Sequence, residues 1–335
     1  MVNPFAADGY SMAGLSDAIG KMPNLYGRLN EMALFTPKGV REITVLVEQR
    51  NGTLNLVTST ERGAPSALAI HDKRALRAFK IPHFSLDDVI LPQDVQGIRA
   101  FGSENDVLAV AEVMRERLQR LKDALDQTTE YLRMGALKGI ILDADGSTIY
   151  NLYTEFGISA KTVSFALADE ETDVLLKCLE VKRHIEANLK GERMAGVRVL
   201  VDGDFYDALT THPKVEKAFA AYMALSQNLA DDYRRGFRFG GLVFEEYPGT
   251  WTDKDGTTRL AIADSCGHAF PEGTANTFRT YVAPGNFMAA VNAIGQQYYA
   301  MQEPKKMDAG WDLHAETNPL PMCLRPEVLV QVTVA

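Results

Sequence analysis

Residues 41–60 read REITVLVEQRNGTLNLVTST. Ile43, Val45 and Val47 alternate with Thr44, Leu46 and Glu48, the two-residue period of a strand. Asn51-Gly52 follows as a two-residue type I′ turn, because both central positions of that turn take positive φ. Such a turn sets Val47 opposite Leu56 and Leu46 opposite Val57. A lone hairpin is marginal in water. The surrounding segment is charged and holds too few apolar positions to build a core of its own. It therefore calls for support from the body of the chain or from a neighbouring subunit.

Downstream of the hairpin come Arg62-Gly63-Ala64-Pro65 and a basic run, Lys73, Arg74, Arg77 and Lys80. Phe79 and Ile81 read as a strand that Pro82 ends. The basic run is either a solvated strand edge or a set of partners for an acidic patch on another subunit. The residues expected to make intersubunit contacts are Arg50, Asn51 and Gly52 at the hairpin tip, with Arg62, Lys73, Arg74, Arg77 and Lys80.

Residues 103–134 read as one amphipathic helix. Ser103 is placed to cap it, with Asp106 three residues on as a short stand-in for the glutamate of a capping box. Val107, Val110, Met114, Leu118, Leu121, Leu125 and Leu132 recur mostly at three- and four-residue steps, while Arg115, Glu116, Arg120, Lys122 and Asp123 take other faces. A helix of that length is a spine that outruns a small domain. Upstream, residues 1–40 are punctuated by Pro4, Gly9, Gly14, Gly20, Pro23, Gly27, Pro37 and Gly39. A helix is expected around Met12–Met22, and the rest reads as an extended arm with little packing.

Beyond the spine, residues 138–153 read as a strand, a turn and a returning strand. Residues 172–190 form a second amphipathic helix with Leu175, Cys178, Leu179, Ile185 and Leu189 on its apolar side, and Gly191 is placed to stop it. From Val197 onward short strands (VRVLVD, GGLVFEE, RLAIA, FRTYVA) alternate with helices near 204–211 and 213–230. Residues 327–334, EVLVQVTV, close the chain as a strand. The mixture is α+β, and no internal repeat appears.

Composition limits the function. The chain has 335 residues, 46% hydrophobic and 24% charged, enough for two or three domains with a sizeable core. Its net charge is −9. Sequence-independent nucleic-acid binding needs a basic footprint that this balance does not supply. Cys178, Cys266 and Cys323 are widely spaced and odd in number, which fits reduced thiols in a cytoplasm. The opening MVNPFAADGYSMAGL lacks a basic start followed by an apolar run, so a signal peptide is not expected. No apolar run reaches transmembrane length, and no membrane association is expected.

The sharpest catalytic pattern is Ile140-Ile-Leu-Asp143-Ala-Asp145-Gly146-Ser147. It resembles the first motif of haloacid-dehalogenase-type phosphatases, in which the first Asp attacks phosphorus and the second serves as acid/base beside Mg²⁺. Asp202-Gly203-Asp204-Phe-Tyr-Asp207 could pose as that family's metal motif, although its spacing fits poorly. Against this stands a simpler reading: Asp-Gly between two apolar strands is an ordinary hairpin turn. An EF-hand reading places Leu152 where Ca²⁺ needs a bidentate glutamate. Cys266-Gly-His268 offers two soft ligands with no second pair. P-loop, dinucleotide-binding, nucleophile-elbow and zincin motifs are missing. No catalytic residue, cofactor or metal is expected, and the phosphatase using Asp143 and Asp145 stands as the alternative.

Several runs together resemble the lambda-like E family of tailed-phage major capsid proteins. They are Leu34-Phe-Thr-Pro-Lys-Gly-Val40, the Asn51-Gly52 hairpin, Arg62-Gly63-Ala64-Pro65, Lys80-Ile-Pro-His-Phe84, Gln96-Gly-Ile-Arg-Ala-Phe-Gly102, Gly135-Ala-Leu-Lys-Gly-Ile-Ile-Leu-Asp-Ala-Asp-Gly146 and Asn318-Pro-Leu-Pro-Met-Cys-Leu-Arg-Pro326. Their order and spacing, over residues 25–335, carry the resemblance. It implies the HK97-type capsid fold, with residues 1–40 as N-terminal arm and 41–85 as β-hairpin extension loop. Residues 86–191 with 310–335 would form the peripheral domain, including the spine helix 103–134, and 192–309 the axial domain. It also implies pentamers and hexamers in an icosahedral shell enclosing double-stranded DNA without sequence-specific binding, and a place in the virion after synthesis in the host bacterial cytoplasm. The implied partners are further copies of the chain, a separate scaffold (residues 1–40 leave no room for a fused one), a portal and, in some shells, a decoration protein. Nothing singles out a crosslinking set, so a non-covalent shell is expected.

Overall fold

The structure, a computed structural model, describes residues 11–22, 27–50, 74–95, 106–225, 234–253 and 255–335. The chain is α+β and divides into two compact units. One comprises Met1–Val45, Ala78–Glu130 and Arg279–Pro321; the other comprises Leu46–Arg77, Tyr131–Phe278 and Met322–Ala335.

The long helix runs Asp106–Lys138, about 50 Å at 1.5 Å per residue. Ser103, its expected cap, lies outside the described residues. The helix outlasts its expected end at residue 134. Ala136 and Leu137 are fully buried, and that burial offsets the cost of roughly 1 kcal/mol for a helical glycine at Gly135. The chain reverses at Gly139, whose N–H reaches the Ala136 carbonyl at 3.3 Å.

In the first unit, Val113, Met114, Leu118, Leu121 and Leu125 of this spine pack with Leu15, Ile19, Ile90, Tyr298, Leu313 and Ala315. The last four come from an antiparallel sheet ordered Tyr299–Pro304, Trp311–Thr317, Phe84–Ile90 and from the residue before it. Leu15 and Ile19 belong to the helix Met12–Lys21, whose Ser11 hydroxyl accepts the Gly14 N–H at 3.2 Å. The expectation of little packing in the rest of residues 1–40 is wrong for the described part. Leu29 and Phe35 are buried. Thr36–Gly39 pairs in parallel with Arg279–Val282, and Pro319–Cys323 continues that sheet. A prolyl- and glycyl-punctuated segment carries no periodic signal, so its long-range pairing leaves no trace in local pattern.

The second unit is built on a six-stranded sheet ordered Lys161–Ser164, Val330–Thr333, Cys266–Glu272, Gly196–Val201, Leu242–Glu246, Arg235–Phe239. Phe165, Phe205 and Phe244 form an aromatic cluster, with ring centroids 5.5 Å apart for the first pair. The helix Val174–Asn188 buries Val174, Cys178, Val181 and Ile185. Leu175, expected on its apolar side, is half exposed, as is Leu176. Asp173 starts the helix by accepting the Leu176 N–H, which fixes Val174 rather than Leu175 as the first inward position.

Thr44–Arg50 and Arg74–Lys80 form a two-stranded sheet, and the Ile43 carbonyl accepts the Ile81 N–H at 2.8 Å beside it. Val45, Val47, Phe79 and Ile81 are buried, whereas Ile43, Leu46 and Leu76 are 60–65% exposed. The Asn51-Gly52 turn and the expected partner positions Leu56 and Val57 lie outside the described residues. Among those described, the partner of the first strand is Arg74–Lys80.

Candidate assembly surfaces

Two charged side chains of the spine, neither of them legible as buried from the helical pattern, hold the N-terminal segment. Lys122, expected on a solvated face, is fully buried. Its Nζ donates to the Met22 carbonyl at 2.9 Å, lies 3.7 Å from Asp126 and 5.1 Å from the Tyr298 ring centre. A cation at the end of the helix Met12–Lys21 is favoured by that helix's unsatisfied carbonyls. Glu130 accepts the Leu29 N–H at 2.6 Å and the Asn30 N–H at 3.2 Å, capping the short helix Arg28–Glu31, whose own cap residue Gly27 has no side chain to do so. A Cβ on Gly27 would lie 2.8 Å from the Glu130 carboxyl carbon, so the glycine is what lets the carboxylate approach.

The aspartates that suggested chemistry are turn and cap residues. Ile140–Leu142 pairs antiparallel with Thr148–Asn151, and the Gly146 N–H reaches the Asp143 carbonyl at 2.9 Å. Gly146 has φ +85°, and the Arg259 guanidinium occupies the space a Cβ would need. The Ser147 hydroxyl and N–H hold the fully exposed Asp145 carboxyl below its ordinary range, the opposite of what a proton donor to a leaving group requires. The return strand is shorter than expected, because Asn151 caps a helix, Leu152–Phe156, by accepting the N–H groups of Tyr153 and Thr154. Asp202 caps Gly203–Thr211 through the Phe205 N–H and also accepts from Ser265 and Cys266, leaving it no role as a metal motif.

Cys266 and His268 sit on the central strand Cys266–Glu272. Burial, reinforced by Lys138, pushes the His268 imidazole down to about 3. Burial pushes the Cys178 thiol up to about 12 and Cys323 higher still, so both are protonated and unreactive. Among the described residues, no group of three or more His, Cys, Asp or Glu is placed to hold a metal, and no helix is long and apolar enough to cross a membrane.

Of the residues expected to touch neighbours, Asn51, Gly52, Arg62 and Lys73 lie outside the described residues. Arg50 and Arg74 stand at ends of the two arm strands. Arg77 lies over the Phe156 ring at 5.5 Å, a contact within its own unit, and Lys80 is exposed. The stronger feature of the arm is apolar: Ile43, Leu46 and Leu76 are largely exposed.

The described chain is a long helix and two α+β units. The putative capsid protein of a prophage of E. coli CFT073 has the same fold, with a TM-score of 0.63 at 13% identity over 97% of this chain and 99% of that one. A phage-related protein from Bordetella bronchiseptica RB50 follows, with a TM-score of 0.51 at 12% identity over 96% of both. The fold is the HK97-type capsid fold. Residues 11–334 match the family described as phage major capsid protein E, and the chain belongs to that family. It is 30% identical to the major capsid protein of Salmonella phage Felix O1 over 352 residues, 96% of each chain. To the major capsid protein of Pseudomonas phage KPP10 it is 26% identical over 344 residues, 98% of each. The phosphatase alternative finds no support in these relatives or in the geometry of Asp143 and Asp145. A major capsid protein is a component of the virion.

Proposed function

We propose that the chain assembles as pentamers and hexamers into an icosahedral shell that encloses double-stranded DNA without reading its sequence, and that it catalyses no reaction. Family membership supports this reading, and one observation carries it: the exposed apolar face of the arm, Ile43, Leu46 and Leu76. A two-stranded sheet with such a face is an aggregation hazard in a monomer and is explained when another copy covers it. Many such shared contacts sum to a stable shell while each stays reversible during assembly. Residues 41–85 reach the neighbour, with Arg50, Asn51, Gly52, Arg62, Lys73, Arg74, Arg77 and Lys80 as candidate contacts, and residues 192–309 face the five- and six-fold positions. The net charge of −9 suits a wall along which DNA moves during packaging. A separate scaffold, a portal and a decoration protein complete the particle, which forms in the host cytoplasm and is held without covalent crosslinks.

The test is negative-stain microscopy of the full chain co-expressed with its scaffold, followed by denaturing gels of purified particles. Closed shells that run as a single monomer band are expected. Small uniform oligomers with Mg²⁺-dependent phosphatase turnover, lost in Asp143→Asn, would overturn the reading.

A further inference from the structure

A second surface of the chain is unfinished, at the C-terminal end of the spine within the six-stranded-sheet unit. A cleft of about 330 Å³ opens there, lined by Tyr131, Lys138, Ile140, Trp251, Arg259 and Leu260 among others. The Tyr131 and Trp251 rings meet edge to face, centroids 5.1 Å apart. Ile140 and Leu260 are 36% and 50% exposed, so the wall is apolar and open to a partner.

The two cations of this cleft differ. The Arg259 guanidinium donates to the Ala144 carbonyl at 3.0 Å and to Asp253 at 3.1 Å; its charge is answered within the chain. Lys138, the last residue of the spine helix, is largely buried, and burial alone pushes its ammonium down to about 8. No carboxylate among the described residues pairs with it; the charged or titratable group that senses it is the His268 imidazole, which is neutral and cannot compensate it. The helix-terminal carbonyls favour a cation here, yet the burial cost still shows. A desolvated, uncompensated cation in an apolar and aromatic cleft is a receptor for a carboxylate.

The same unit carries a knob of matching chemistry. Ala168–Asp173 reads ADEETD, and Glu170 is exposed with no partner among the described residues. Glu171, its neighbour, is already held by Lys214 at 3.4 Å. Directly after them, on the first turn of the helix Val174–Asn188, Leu175 and Leu176 are 48% and 58% exposed.

We propose that the cleft around Lys138 receives the Glu170–Leu176 knob of a second copy of this chain. Glu170 pairs with the Lys138 ammonium, while Leu175 and Leu176 cover Ile140, Leu260 and the Trp251 ring. Cleft and knob are different surfaces, so the contact is head-to-tail, the kind that closes rings when the rotation per copy allows. The inference rests on the shell reading above and names one of its contacts.

The experiment uses the full chain with its scaffold and follows assembly by light scattering against protein concentration. Glu170→Lys and Lys138→Glu are each expected to raise the concentration needed for assembly by roughly tenfold or more, the scale of a desolvated interfacial charge pair. The charge-swapped double variant is expected to recover most of that loss. Lys138→Glu risks the local fold, so Leu175→Ser/Leu176→Ser, at exposed positions, is a second probe with the same expected direction and an unchanged circular-dichroism melt. Wild-type assembly at concentrations that Glu170→Lys and the leucine variant share would overturn the contact alone. Sensitivity to Lys138→Glu without sensitivity to Glu170→Lys would overturn it too, by giving the cleft to another occupant. Failure of the unmodified chain to assemble would instead defeat the shell reading.

Discussion

Leu46 and Leu76 on the arm are the same residue type as Leu118 and Leu125 on the spine, yet the first two are more than 60% exposed and the second two are buried to 2% or less. The spine leucines are used up within one chain, packed against Leu15, Ile19 and Leu313. The arm buries Val45, Val47, Phe79 and Ile81 and leaves its other face open. Burial of a leucine side chain is worth roughly 1.5–3 kcal/mol wherever the covering surface comes from. The spine therefore contributes to folding, and the proposed role of the arm in association rests on the apolar surface it leaves exposed.

The largest effect that separates the two is expected at Leu125→Ala. Truncating a fully buried leucine in a packed cluster costs about 2–5 kcal/mol, and the thermal melt of the unassembled chain should fall accordingly. A melt that stays put would erase the distinction, because the spine core would then be no tighter than the arm. A smaller effect is expected from acid, at the lower end of the spine. His268 is depressed from 6.5 to about 3, so between those values the unfolded chain takes up a proton that the folded one refuses. Stability is complete above about pH 6.5 and falls as the pH drops toward 3. At one unit below the unfolded value the loss is about 1.4 kcal/mol. His268→Gln should flatten that limb of a stability-versus-pH curve; an unchanged limb would assign the acid sensitivity to other groups. The smallest effect on the free chain is expected from Leu46→Ser/Leu76→Ser, within about 0.5 kcal/mol for exposed positions. The same variant should fail to form shells under the microscope. A destabilised monomer, or normal shells, would show that the arm is not reserved for a neighbour.

Much of this comparison could be read from residues alone. The alternation at Val45 and Val47 marks a strand, and the three- and four-residue steps from Met114 to Leu132 mark the spine, because both periods report which face is buried. The Asp143–Ser147 turn was equally legible from its glycine. Four things were not. The pairing of residues 44–50 with Arg74–Lys80, their partner among the described residues, spans a sequence separation that no local pattern encodes. The burial of Lys122 and Glu130 depends on backbone groups of Met22, Leu29 and Asn30, about a hundred residues away, and a helical wheel places such residues outside. Leu175 looked inward until the Asp173 cap fixed where the helix begins. The cleft at Lys138 gave no signal either, since a lone lysine at a helix end is the commonest of solvated residues.

Lys122 and Glu130 also impose an order in time. Residues 11–31 leave the ribosome early, but the Met22 carbonyl meets the Lys122 ammonium, and the Leu29 and Asn30 N–H groups the Glu130 carboxylate, only once residues 122 and 130 have been made. Thr36–Gly39 must wait longer, for Arg279–Val282. At 5–20 residues per second, the interval between those two strands is roughly 12–50 s of synthesis. Throughout that interval the pairing of Thr36–Gly39 cannot form. A nascent subunit thus completes the pairing of its first strand only after most of its own sequence exists.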